Sequence, residues 1–293
     1  MRLIRRRSWV DGTLCLWTIA VFAFLFAPIV TAVLYSFNRG VLGKQTSSFT
    51  GFTTHWYPDA WANGALRHVA GVSLRVALAT AVLSTALGTI TGFALGRRRG
   101  RFVPLALEAL VYLLLIVPEI VLGISLLLFY SKAGIGLGLW PLVAGHSPFT
   151  VAVVAIIVRS RVVALDRATE DAAADLGAGP WRTFWDVTFP QLRPAMLAGA
   201  ILAFTFSFDD LVISLFLTTP TVSTVPVYLF GTVRLGARPD VYAIAAMMLA
   251  FTLVMLAASG LLYRWQARRS GAATQLTNVL ASGNTAPGIT TMG

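Results

Sequence analysis

Residues 14–35 form a run of about 22 positions with no charged side chain. A helix rising 1.5 Å per residue needs about 20 such positions to cross a hydrocarbon layer of about 30 Å. Five more apolar stretches follow, at about 69–95, 102–130, 148–163, 194–217 and 241–263. In hydrocarbon every backbone N–H and C=O must be satisfied within protein, so long apolar runs of this kind predict helices. The expected fold class is therefore all-α, a polytopic membrane protein with six transmembrane helices. Charged residues are 12% of the chain, about half of what a soluble domain carries.

Charge placement sets the expected topology. With the N-terminus inside, the inner segments hold 16 Arg residues and the outer ones hold 6 Arg or Lys. That asymmetry puts both termini and residues 166–190 in the cytoplasm. It also accounts for the net charge of +11 without nucleic acid. Arg2, Arg5, Arg6 and Arg7 precede the first run, as in a signal peptide. The run exceeds the usual apolar core of about 7–15 residues, which favours an uncleaved first span. The predicted organisation is a cytoplasmic N-terminus at 1–12, a six-helix membrane domain at 13–268 and a flexible cytoplasmic tail at 269–293.

Several local features refine this plan. Trp56, Tyr57 and Trp61 lie in a polar segment, 38–68, that is expected on the outer surface at headgroup level. Ser84, Gly88, Gly92 and Gly96 recur every four residues in the second span. They form one smooth face that admits another helix closely. Pro118 predicts a kink in the third span, and the glycine-rich segment 131–147 reads as a loop. Cys15 is the only cysteine, so no internal disulfide forms. His55, His68 and His146 show no metal-ligand spacing and read as interfacial residues near span ends. No phosphate-binding loop is present, so no metal, cofactor or nucleotide hydrolysis is expected of this chain itself.

Residues 166–190 are the longest patterned polar segment between spans. Ala172, Ala173 and Ala174 favour helix and leave a surface for close contact. Gly177 supplies a helix end, Pro180 suits a first turn, and Pro190 is expected to stop the second short helix. The order Asp171-Ala172-Ala173, three residues, Gly177, nine residues, Val187-Thr188-Phe189-Pro190 resembles the EAA motif. That motif marks the membrane subunits of ABC importers that work with a substrate-binding protein. Asp171 stands where the motif has Glu, Val187 where it often has Ile, and Phe189 where it often has Leu. Residues 117–121, 207–213 and 223–226 further resemble the spermidine/putrescine permease subfamily, the second of its two permease subunits.

The resemblance implies a type I ABC importer permease fold in a bacterial inner membrane. It implies a cytoplasmic ATPase dimer, a second and different permease subunit and an extracytoplasmic substrate-binding protein as partners. It makes 166–190 a coupling loop, with Glu170, Asp171, Ala172, Ala173, Gly177, Arg182 and Pro190 as coupling residues. Glu170, Asp171 and Arg182 are expected to pair with charges on the ATPase rim. The implied cargo is a polyamine or similar organic cation, with ferric iron, thiamine, phosphonate or opine relatives as alternatives. A self-contained channel or secondary transporter would need its own gate or inverted repeats, and no internal symmetry is visible.

Apart from Arg159 and Arg161, counted with the inner segment at the end of the fourth span, five ionisable residues fall inside predicted spans: Arg75, Glu108, Glu119, Asp209 and Asp210. Each is costly in hydrocarbon and is expected to face protein or water. Counting rise along straight helices puts Glu119, Asp209, Asp210 and Arg75 in one layer about 21–24 Å from the inner face. Three roles stay open for this layer. The carboxylates line a cation pathway, or Arg75 neutralises them in a structural cluster, or Asp209 and Asp210 cap a break in the fifth span.

Overall fold

A computed structural model describes residues 2–41, 48–97, 102–234 and 239–269. Lys44, Arg98, Arg99, Arg101, Arg238 and residues 270–293 of the tail expected at 269–293 lie outside the described residues. Among the described residues the regular structure is all helix, apart from one isolated antiparallel bridge, Asn38 to Phe52. In order the helices are α1 (Arg2–Tyr35), α2 (Trp56–Ala62), α3 (Gly64–Arg97), α4 (Phe102–Ile116), α5 (Glu119–Lys132) and α6 (Leu139–Val163). Then come α7 (Ala168–Asp175), α8 (Pro180–Thr183), a π-helical turn (Phe184–Thr188) and α9 (Phe189–Asp209). The last are α10 (Val212–Leu217), α11 (Val225–Arg234) and α12 (Pro239–Arg269).

The described residues form two units, one drawn from 2–71 with 224–251 and one from 72–223 with 252–269. In the first, the segment after α1 is tied down by hydrogen bonds. Asn38 is buried, and its Oδ1 accepts the Thr50 N–H at 2.7 Å. Its carbonyl takes the Trp56 indole N–H at 2.9 Å. The hydroxyls of Ser36 and Tyr57 lie 2.7 Å apart. Ala60, Leu66, Val69, Val225 and Ile244 form this unit's core. The outward face of α1 stays bare, with Trp17 71% and Phe24 80% exposed, as a lipid-facing helix requires.

The second unit is built on α3 and α6. A Cβ placed on Gly88 would lie 2.6 Å from Val154 Cβ, on Gly92 2.5 Å from the Ala155 carbonyl oxygen, and on Gly96 2.5 Å from Val162 Cγ1. The fourth member of the stripe, Ser84, meets Thr150 hydroxyl to hydroxyl at 2.7 Å. The stripe expected from sequence is thus a packing face, and its partner is α6. Contacts rise together along both helices, so α3 and α6 run parallel. On α6's other side α9 runs antiparallel: Arg161 Nε donates to the Gln191 carbonyl at 3.1 Å, Gly199 faces Val154, and Phe149 meets Phe206 edge-on at 5.1 Å.

This register decides how the chain returns between the two parallel helices. Gly96 near the end of α3 lies beside Val162 near the end of α6. Leu139, where α6 begins, is therefore about 35 Å back along the axis at 1.5 Å per residue. The intervening helices must cover that distance. α4 and α5 are apolar enough to cross only as a pair, and they are bent by 101° at the break after Ile116. They form one broken span. With the five other helices that are long and apolar enough, the described residues supply six crossings.

Three sequence expectations change. The kink at Pro118 is a full break, because Pro118 and Glu119 end one helix and start another. Residues 139–147 are helix, not loop, and Pro148 sits inside α6. Around that proline the hydroxyls of Ser147 and Thr150 donate back to the carbonyls of Val143 and His146, at 2.7 and 2.8 Å. Pro190 does not stop a helix either: 180–209 is continuous. The proline ring needs room at the carbonyl four residues back, residue 186, and the widened π turn lies there.

The α3–α6 contact makes a direct prediction. Gly92→Ala should lower stability by about 1–3 kcal/mol through overpacking, read as a lower Tm of the purified protein. Gly71→Ala on the same helix has nothing within 4 Å of the added Cβ. It should leave Tm unchanged or raise it.

Candidate functional site

The 166–190 segment is a helix pair with its turn facing out. Asp166 opens α7 by accepting the Ala168 N–H at 2.9 Å. After α7 the chain closes in paired reverse bonds, from Gly177 N to the Ala174 carbonyl and from Ala178 N to the Ala173 carbonyl, at 2.9 and 3.0 Å. That geometry needs a left-handed residue, and Gly177 has φ +84°. Pro180 then occupies the first turn of α8. Asp171, Ala172 and Arg182 are exposed and Ala173 is half-buried. Leu176 is 90% and Trp181 75% exposed, so large apolar surface stands uncovered at this turn.

The acidic residues divide. Asp171 points outward, whereas Glu170 is turned inward. Its Oε1 accepts from Arg97 at the end of α3 and, at 2.6 Å, from the Thr188 hydroxyl in the π turn. The expectation that Glu170 pairs with a partner's charges is thereby corrected, since its carboxylate is committed within the chain. Arg182 lies 3.3 Å from Asp186 in an exposed i,i+4 pair, a contact worth only a few tenths of a kcal/mol. Behind the turn a groove of about 420 Å³ lies between Phe93 and Arg97 of α3 and the residues of α7 and α8. Phe184 closes it, meeting Phe93 edge-on at 5.3 Å.

The second cluster lies at helix breaks. Glu119 is the first residue of α5, Asp209 the last of α9, and Asp210 joins α9 to α10. Arg75 is exposed, and among the described residues no ion pair joins it to any of the three. The Arg75-neutralised cluster is therefore overturned: the layer was inferred from straight helices, and both carboxylate-bearing spans are broken. Asp210 does cap, accepting the Ser214 N–H on Oδ1 at 2.9 Å. Asp209 faces elsewhere and accepts the Thr252 hydroxyl of α12 at 3.2 and 3.3 Å. Glu108 pairs with Arg159 at 2.7 Å, joining α4 to α6.

Glu119 and Asp210 line one cavity of about 20 Å³, room for about one water-sized group, together with Thr150, Ser207 and His146. His146, expected at an interface, is instead 3% exposed inside α6. Its mistaken placement follows from the loop assigned to 131–147. The available signal was a run of polar residues, His146, Ser147 and Thr150, inside an otherwise apolar stretch.

Residues 84–271 match the family model described as binding-protein-dependent transport system inner membrane component. The chain belongs to this family. The permease is 35% identical over 252 residues to the spermidine/putrescine transport system permease protein PotC of Shigella flexneri, covering 86% of this chain and 94% of that one. It is 36% identical over 247 residues to the putrescine transport system permease protein PotI of Escherichia coli K12, covering 80% and 85%. Its fold resembles a bacterial ABC transporter involved in import of the acidic polysaccharide alginate, with TM-score 0.69, 15% identity and 92% and 99% of the two chains covered. A second likeness, to the MetNI methionine ABC transporter, has TM-score 0.52 at 15% identity over 69% of this chain.

The permease is thus an all-α, multi-pass membrane subunit of a bacterial inner membrane, a transport component and not itself a catalyst. Two of its features are now geometric facts: an exposed helix turn braced from behind by Arg97, Glu170 and Thr188, and a small acidic cavity at paired helix breaks. The brace predicts coupled energetics. In a double-mutant cycle Arg97→Ala and Glu170→Ala should be non-additive by about 0.5–3 kcal/mol, measured by thermal unfolding of the purified protein.

Proposed function

We propose that this permease is one of two different membrane subunits of an ATP-driven importer for polyamines or similar organic cations. The reading is carried by its likeness, over 80–86% of its length, to permeases named for spermidine and putrescine. The acidic cavity supports it. Glu119 and Asp210 at helix breaks present carboxylates where a cation needs acceptors, and a carboxylate in a span is costly unless protein, water or cargo meets it.

The 166–190 loop is the handle for a cytoplasmic ATPase dimer, and a substrate-binding protein delivers cargo from the other side. The surplus of Arg in the inner segments supports a cytoplasmic position for the loop and both termini. Asp171, Ala172, Ala173 and Arg182 face the ATPase, Gly177 sets the turn between them, and Pro190 starts the span the loop drives. Glu170 braces the loop from behind. ATP-driven closure of the ATPases would push α7, and the push would reach α3 and α9 through Arg97 and Thr188.

The two sites make separate predictions. Gly177→Leu forces a branched side chain into left-handed backbone at a cost of about 1–2 kcal/mol. It should uncouple the complex: ATPase activity persists while uptake by proteoliposomes falls away. Full ATP-driven uptake by Gly177→Leu would remove the handle. Asp210→Asn should raise the KM for labelled putrescine about tenfold or more, as for loss of a charged hydrogen-bond acceptor. Asp209→Asn, whose carboxylate only meets Thr252, should change it less. Normal transport by both variants, with ATPase coupling unchanged, would end the cation-pathway reading.

A further inference from the structure

A broken span needs something to hold its two halves. At the α9–α10 break that group comes from a third helix. His146 of α6 is buried, with its side chain 1% exposed. Its Nδ1 lies 2.7 Å from the Ser207 hydroxyl, in the last turn of α9. Its Nε2 lies 3.1 Å from the Ser214 hydroxyl of α10 and 3.4 Å from Asp210 Oδ1 between them. The same Oδ1 accepts the Ser214 N–H at 2.9 Å.

These contacts fix the imidazole. An ionised carboxylate only accepts, so the ring hydrogen belongs on Nε2, facing Asp210 and Ser214. Nδ1 is then the acceptor, and Ser207 donates to it. One neutral ring thereby spans both halves of the break and faces the carboxylate there. The α6 backbone that carries it is itself locked to α3 through Gly88, Gly92 and Gly96. Asp210 is thus oriented from a rigid element, towards the cavity it shares with Glu119.

We propose that His146 is a positioning residue for cargo recognition: it holds the α9–α10 break and aims Asp210 at the cavity. The proposal rests on the cation-pathway reading of Asp210. A group acting through Asp210 affects how well cargo is held, and its effect disappears when Asp210 can no longer act. A group that only fills space changes stability and turnover whether or not Asp210 is intact.

The experiment is ATP-driven uptake of labelled putrescine by proteoliposomes holding the permease with the subunits that co-purify with it. His146→Ala should raise KM about tenfold and leave kcat within about twofold. His146→Gln, whose amide keeps a donor near the Nε2 position, should restore most of the loss. On the Asp210→Asn background, His146→Ala should add less than twofold. An equal effect with and without the Asp210 carboxylate, or a fall in kcat at constant KM, overturns the proposal. Normal uptake by Asp210→Asn alone removes Asp210 from the cation pathway, and this proposal with it, and is told apart by that single variant. If His146→Ala does not assemble, Ser207→Ala removes only the hydroxyl that donates to Nδ1. It should raise KM about threefold, again only while Asp210 is intact, and an unchanged KM would refute the role.

Discussion

Close approach of α3 and α6 is the contact the second unit depends on. Lipid chains are as apolar as leucine, so burying apolar surface gives helices in a bilayer little reason to associate. Dispersion does, and it acts only at contact. Three glycines and a serine strip one face of α3 to its backbone, and the valines of α6 rest on it. Val154 is shared, since it also meets Gly199 of α9. One residue of α6 thus sits between two helices that have given up side chains to reach it. With α6 fixed on both flanks, Gly145 brings Leu217 of α10 against it, and Gly123 brings Phe216 against α5.

Around that packed centre the chain places its irregular backbone. The breaks at Pro118 and Asp210, the proline within α6 and the π turn before Pro190 each release hydrogen-bonding groups that hydrocarbon cannot satisfy. Polar side chains stand at three of them. Asp210 takes the Ser214 N–H, the hydroxyls of Ser147 and Thr150 back-bond, and Thr188 of the π turn donates to Glu170. The same polar residues then give the membrane interior its few hydrophilic surfaces. Structural repair and the candidate cargo site draw on one set of atoms, which is why Asp210 both caps α10 and lines the cavity.

Much of this was readable from the sequence, and the failures have a common cause. Span number, the glycine stripe and the Gly177 turn depend on period, length and left-handed backbone, all local properties. The Asp171-to-Pro190 spacing likewise led to the right family. Arg75, His146 and Glu170 were misplaced because their partners are distant in sequence. Straight-helix counting put Arg75 level with the carboxylates, but level is not contact, and the broken spans turn the acids elsewhere. His146 fell in an assumed loop because glycine and proline outvoted Trp140, Leu142 and Val143. Glu170 looked like a surface charge because nothing in its own helix reveals Arg97, 73 positions away.

The four-residue spacing on both helices has a mechanical meaning. Thr150, Val154, Val158 and Val162 fit the gaps at Ser84, Gly88, Gly92 and Gly96 like teeth in a rack. The next register that fits lies one tooth along, about 6 Å away at 1.5 Å per residue. Smaller slides lift the valines off the bare backbone and lose dispersion at every tooth together. Whatever motion carries cargo across, α3 and α6 travel as a single stiff beam, and the bending falls to the broken helices on either side.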